Sequence, residues 1–327
     1  MLERDKWVDY AKGIGIILVV YGHVARGVAN AGIKQDKTLY ILIDSIVYSF
    51  HMPLFFFLSG LFFISSLKKR GPYLFFENKV STLFYPYVVW SVLQGGTELI
   101  LSNYTNGNIT IVEVASLLWA PRAQFWFLYA LFLVSLVGIV IYWQLPNKYY
   151  ELILLCSAFI YMGQKFFLFI PLIGFVVHNF VFVALGITFF QKRKLFETYH
   201  SYLLPVSLVL FVAAQWYFHI KLGLFYTSQE HWLTLLLAIF SILFIISLSL
   251  FLSRFELTWL AFMGSSSLGI YVMHVLAGSG FRIILQKFFG IEDILTHLIG
   301  GTLISLLVPL AIIYIFGTRI QILFKLT

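Results

Sequence analysis

From Arg4 to Arg26 the chain reads RDKWVDYAKGIGIILVVYGHVAR. The stretch starts with a charged foot that includes Asp9 and Lys12, turns apolar, and carries one histidine, His23, near its far end. At ~3.6 residues per turn, the eleven-residue offset from Lys12 to His23 returns to nearly the same helix face. The two positions stand roughly 16 Å apart along the axis. One face of a membrane-length helix therefore joins a cation at the membrane edge to an imidazole well inside. An ionisable group inside a span is costly and points to a functional site. The competing reading is a histidine satisfied by a neighbouring helix, because a neutral imidazole is cheaper to bury than a carboxylate.

The rest of the chain agrees with a membrane setting. Of its 327 residues 61% are hydrophobic and 11% charged, against about 25% charged in a soluble domain. Mean hydropathy is +0.92. Apolar runs of membrane length recur throughout, which leaves no room for a soluble domain and predicts one integral membrane domain over residues 1–327. The 35 Phe, 19 Tyr and 8 Trp suit lipid-facing surfaces and interfacial belts. A single cysteine, Cys156, excludes an internal disulfide and a cysteine metal cluster. The net charge of +8 fits the flanks of membrane spans better than nucleic-acid binding. No small-residue cleavage site follows the first apolar run, which therefore reads as a retained span.

The expected fold is all-α, a polytopic membrane helix bundle of about ten transmembrane helices. The spans fall near 9–29, 39–66, 79–102, 125–144, 149–168, 171–190, 201–220, 231–252, 264–288 and 297–323. An even number puts both termini on one side. Of the 22 lysines and arginines, 14 flank that side and 8 the other, so both termini are expected in the cytoplasm. The bias is strongest at Lys68-Lys69-Arg70 and Lys192-Arg193-Lys194. No long-period repeat or linker interrupts the pattern.

Several spans carry polar residues. In the second, His51 lies near mid-membrane, and Pro53 removes a backbone donor and should bend the helix. Asp44, Tyr48 and His51 share a face by spacing; Asp44 is either interfacial or part of a site. The third carries Gln94 and Glu98, and a carboxylate that deep needs a partner or a proton, unless it lies beyond the hydrocarbon and is solvated. The outer loop 103–124 holds two Asn-X-Thr triplets, a weak glycosylation signal. It leads into PRAQFWF, where Arg122, Gln124 and Trp126 could bind a polar or sugar ligand or form an ordinary interfacial belt. The sixth span carries His178. His219 ends the seventh, where a solvated histidine is expected. The ninth contains SSSLGIYVMH, which puts His274 near mid-membrane with Tyr271 on the same face.

His23, His51 and His274 thus come from three spans at similar depth. Three readings compete. A metal site is weakly supported, because no two histidines lie at close helical spacing. A proton relay in a transporter remains open. So does acyl transfer, in which a histidine takes the proton of a sugar hydroxyl or briefly carries the acyl group, while basic residues hold an acyl-CoA thioester.

The motifs favour the last. DYAKGIGIILVVYGH, Asp9–His23, resembles the first span of the membrane acyltransferase-3 family, with its basic residue, ten others, then histidine. FHMPLFFFLSGLFF, Phe50–Phe63, is a second match. KVSTLFYPYVVWS, Lys79–Ser91, is a looser one: the family often has two arginines three apart there, and this chain has Lys79 and Thr82. Trp126-Phe127 and SSSLGIYVMH also resemble the family, and the general likeness is to its fucose 4-O-acetylase branch. The resemblance implies an O-acyltransferase of the bacterial cytoplasmic membrane that uses acetyl-CoA and no metal. Its acceptor would be a hydroxyl on a surface polysaccharide or lipid-linked glycan. By the same resemblance His23 would be catalytic, Lys12 and Lys79 would bind the donor, and His51 would line the pocket. Glu98 and His274 are further candidate lining residues, and Arg122, Gln124 and Trp126 candidate acceptor-binding ones. Larger family members carry an esterase-like domain after the spans, and this chain is expected to act without one. The alternative is a transporter or exporter of a glycan or proton-coupled solute.

Overall fold

The structure, a computed structural model, describes residues 5–102, 109–167, 171–228 and 231–326. Arg4 and residues 103–108, which hold the first Asn-X-Thr triplet and the asparagine of the second, lie outside them. The described residues are helical, with no strand. The α-helices are α1 (Lys6–Asn30), α2 (Lys37–Tyr48), α3 (His51–Leu61), α4 (Phe63–Lys79), α5 (Tyr85–Ile100), α6 (Ile111–Ala115) and α7 (Trp126–Tyr142). They continue as α8 (Tyr150–Met162), α9 (Pro171–Gln215), α10 (His231–Leu252), α11 (Thr258–Ser265), α12 (Ser267–Ile283) and α13 (Gly301–Phe316). The fold is an all-α polytopic helix bundle.

Among the described residues, 8 helical stretches are long and apolar enough to cross a membrane. They correspond to eight of the ten expected spans. The other two expected spans are helical but differ in form. The third starts with a π-helical turn, Val80–Phe84, before α5. The fifth, α8, has 13 residues, about 20 Å of helix against a hydrocarbon core of about 30 Å.

The second span is broken rather than merely bent. Phe50, between α2 and α3, has φ −144° and ψ −18°. The break lies where Pro53 demands it: a proline ring clashes with the carbonyl four residues earlier, here that of Ser49.

The chain divides into two compact units. The first comprises residues 1–15, 45–79 and 130–264. Here α3 and α9 meet backbone to backbone: a Cβ on Gly60 would stand 2.3 Å from the Val183 carbonyl oxygen, and one on Gly186 2.1 Å from that of Phe57. Small residues that let spans approach are a main source of helix association in lipid. Helical conformation in α9 is continuous, yet it supplies two spans, Leu172–Tyr199 and Tyr202–Lys221. Phe190 packs on Phe62 at one end of α3, and Phe211 packs on Phe50 at the other. In α4, Gly71 adopts φ 75° and ψ 165°, a conformation open to glycine and strained for other residues. It turns the chain between the exposed Lys68-Lys69-Arg70 and the exposed Tyr73, Leu74 and Phe76.

The second unit comprises residues 16–44, 80–129 and 265–327. Val24 of α1 lies against two glycines: a Cβ on Gly301 of α13 would be 2.9 Å from Val24 Cγ1, and one on Gly278 of α12 3.5 Å from Val24 Cγ2. The Gly278 Cβ would also come within 2.4 Å of Ser305 Oγ. This stretch of α1 is therefore held close to both helices. At the start of α5 the Trp90 indole donates to the Leu323 carbonyl at 2.8 Å and stacks on Phe324.

Candidate functional site

Several polar groups of the second unit form a connected chain. Helical conformation in α1 is unbroken through Lys12 and His23. Near its C-terminal end the half-buried His23 ring meets His274 of α12, edge to face, with centroids 5.0 Å apart and planes at 61°. His274 is only 1% exposed. Its Nδ1 lies 2.7 Å from the Tyr271 carbonyl oxygen and 3.2 Å from that of Ile270. Both partners only accept, so Nδ1 must carry the proton and donate. The neutral ring then presents a bare lone pair at Nε2. This atom is buried and has no hydrogen-bond partner among the described residues.

Tyr271, one turn before His274, donates its hydroxyl to the Gln124 carbonyl. Its ring packs against Phe127 at the start of α7. The chain of contacts continues through Gln124, also 1% exposed. Its amide nitrogen donates to Gln94 Oε1 at 2.6 Å, and Gln94 Nε2 lies 3.4 Å from Gln124 Oε1. Gln94 also donates to Glu98 Oε1 at 2.8 Å. The other Glu98 oxygen takes an ion pair from Arg122 Nη2 at 2.7 Å. Glu98, open from sequence between a solvated and a partnered carboxylate, is partnered. Arg122 and Gln124, expected to face an acceptor, spend these contacts inside the protein. Trp126 remains half-buried at the start of α7.

A second ion pair stands one turn beyond His23. Arg26 Nε and Nη2 grip the two carboxylate oxygens of Asp44 at 2.8 and 2.9 Å. Such a two-pronged pair is geometrically specific. Sequence spacing does not single out Arg26, and for Asp44 it leaves an interfacial residue or part of a site.

The remaining candidates lie in the first unit. His51 is fully buried, gives Nδ1 to the Val47 carbonyl at 2.8 Å, and packs its ring on Tyr48 with centroids 4.4 Å apart. Of the three residues expected from spacing to share a face, Tyr48 packs on His51 and Asp44 is held by Arg26. Lys12 is half-buried in α1. Lys79, at the end of α4, sets its ammonium 4.9 Å from the Phe75 ring centre and 6.0 Å from that of Phe63, a cation–π arrangement. His219 is a correction. Expected in solvent, it is 5% exposed, with Nδ1 2.9 Å from the Leu224 carbonyl oxygen. The turn after Lys221 folds back over the ring and supplies that acceptor. His178 is half-buried in α9. Among the described residues no three His, Cys, Asp or Glu side chains are grouped to hold a metal ion.

What this arrangement offers chemically is a pair of imidazoles in an apolar bundle, one half-buried and one buried with a bare nitrogen. A family model described as an acyltransferase domain matches residues 5–316. No curated protein and no solved structure matches the chain.

Proposed function

The chain belongs to the acyltransferase-3 family of membrane acyltransferases, and from that premise we propose that it is an O-acetyltransferase of extracytoplasmic glycans. It takes the acetyl group of cytosolic acetyl-CoA and places it on a hydroxyl of a surface polysaccharide or its lipid-linked precursor. The likeness to the fucose 4-O-acetylase branch supports a sugar hydroxyl as acceptor. The protein resides in the bacterial cytoplasmic membrane with both termini in the cytoplasm, in keeping with the excess of lysine and arginine on that side.

His23 is the catalytic group. It takes the proton of the acceptor hydroxyl as that oxygen attacks the thioester carbonyl and gives it to the CoA thiolate that leaves as the C–S bond breaks, or it carries the acetyl group from CoA to the acceptor in two such steps. Lys12 and Lys79 attract the phosphates of the donor from the cytoplasmic face. His274 lines the path, and Trp126 faces the acceptor from the outer side. The observation that carries this reading is the half-buried His23 ring, set against a buried imidazole inside a matched acyltransferase domain.

The test is mass analysis of surface glycan from a deletion strain, complemented with the native protein or with His23→Ala. Unacetylated glycan at normal surface amount, restored only by the native protein, is the expected result. Loss of the surface glycan itself would favour an exporter and overturn the reading.

A further inference from the structure

We propose that the acceptor is recognised through an oxyanion, a phosphate or a carboxylate, held by Arg282 of α12 in a gap beside Gly27 of α1. The gap lies one helical turn past His23, on the outer side in the orientation given above. The inference rests on the acyltransferase reading and names its acceptor class: a glycan that carries a negative charge close to the hydroxyl that receives the acetyl group.

Two facing stripes define the gap. On α12, His274, Gly278 and Arg282 recur every four residues and share a face. Gln286 follows at the same interval in the next turn, Ile284–Phe288. On α1, His23 and Gly27 share a face, and Ala31 comes directly after the helix. The two stripes meet at three levels. The His23 ring lies on His274, Val24 lies against Gly278, and Gln286 Nε2 donates to the Ala31 carbonyl at 3.4 Å. Between the last two contacts Arg282 stands level with Gly27. The space there is unfilled, because a Cβ on Gly27 would meet no atom within 4 Å. The third wall is α13. Ser305 Oγ is pressed against Gly278, and Phe281 lies against Gly300, so α12 and α13 run antiparallel. That register brings Thr302, which shares a face with Ser305, to the level of Arg282. Both hydroxyl oxygens are buried with no hydrogen-bond partner among the described residues.

The charge of the gap decides what enters it. Arg282 is 8% exposed, and no hydrogen bond, ion pair or ring contact joins its guanidinium to another described residue. The two half-buried carboxylates of this unit, Asp44 and Glu98, are held by Arg26 and Arg122. Its other described acidic side chains are exposed. A guanidinium keeps its proton, and a charge so covered is costly without a partner. A neutral sugar would leave that charge unmet. An oxyanion meets it, because the planar fork of N–H donors matches two oxygens of a phosphate or carboxylate. The hydroxyls of Thr302 and Ser305 add donors from α13. Gly27 stands four residues from His23, ~6 Å along the axis, a distance that one sugar unit spans. An acceptor seated by its anion on Arg282 therefore presents a nearby hydroxyl to His23.

The experiment uses the full-length protein in detergent, radiolabelled acetyl-CoA, and three matched acceptor sets: methyl hexopyranosides, methyl hexopyranosiduronates and hexopyranose 1-phosphates. The native protein is expected to favour one anionic set over the neutral one by about 100-fold in kcat/KM. Preference for the 1-phosphates assigns the anion to a lipid-linked precursor, and preference for the uronates assigns it to the polymer. Arg282→Gln should bring the ratio to within a few-fold of one. Arg282→Lys keeps the charge without the fork and should fall between. Gly27→Leu fills the gap and should lose the same preference. The favoured anionic acceptor should also raise the unfolding temperature of the native protein and leave that of Arg282→Gln unmoved. Equal transfer to neutral and anionic sets, or a preference that survives Arg282→Gln or Gly27→Leu, overturns the anion site while transfer itself upholds the acyltransferase reading. An Arg282-dependent rise in unfolding temperature with no label transfer to any set overturns the acyltransferase reading and keeps the site. Neither transfer nor a rise overturns both.

Discussion

Arg122 and Glu98 form a 2.7 Å ion pair at one end of a polar chain whose other end is Tyr271 of α12. The pair is about one-fifth exposed on each side. It is shielded enough to matter and solvated enough that its worth is modest. Because Gln94 shares the same carboxylate, removing Glu98 leaves two donors without their acceptor.

Glu98→Ala is therefore expected to destabilise the protein by about 1–3 kcal/mol, the cost of buried donors left unmet. Glu98→Gln keeps one acceptor and should cost less. Thermal unfolding in detergent measures both, and a double cycle with Arg122→Ala isolates the pairwise term.

Two glycines in α12 make a matched test of close packing. Gly278→Ala forces a methyl to within 2.4 Å of Ser305 Oγ and against Val24. Overpacking of this kind costs about 1–3 kcal/mol and should shift His274 away from His23, with a fall in acetyl transfer. Gly280→Ala meets nothing within 4 Å and should be neutral or gain about 0.5–1 kcal/mol from helix propensity. Transfer rate and unfolding temperature, read together on the two variants, check this.

On the proposed donor side, Lys12→Ala and Lys79→Ala should raise KM for acetyl-CoA several-fold with little change in KM for the acceptor. Lys79→Arg keeps both the charge and the stacking on Phe75, and is expected to stay close to native. Steady-state kinetics with each substrate varied in turn distinguishes donor from acceptor effects.

Pro53→Ala restores a backbone donor four residues after Ser49. The expected outcome is a more continuous second span and a weakened hydrogen bond from His51 to the Val47 carbonyl, since that carbonyl regains a helical partner. Amide hydrogen exchange across residues 47–54 should slow in the variant.

Much of this was legible in the chain. Long apolar runs gave the all-α membrane fold, and the first of them became the unbroken α1 that carries both Lys12 and His23. Depth counting put His274 and His51 at the level of His23, and the structure brings the His274 ring onto His23. Pro53 announced the disturbance in the second span, although its position at Ser49–Phe50 follows only from the clash four residues back. The Gln94–Gln124 exchange and the Arg26 grip on Asp44 were beyond reach, because neither pair has a sequence interval that betrays it. His219 failed for a related reason: its acceptor is a carbonyl on a turn whose fold-back no periodicity records. The fifth span was overestimated because hydropathy counts apolar residues, and α8 ends at Met162 before a 3-10 turn.

The elbow at Gly71 has a bearing on how the protein meets its surroundings. Within nine residues it assembles three cations and three uncovered apolar side chains directly after a span. A segment so composed is at rest where anionic headgroups meet acyl chains. Stripping acidic phospholipid from a purified preparation should loosen this hinge before any buried helix feels the change, and returning that lipid should restore it.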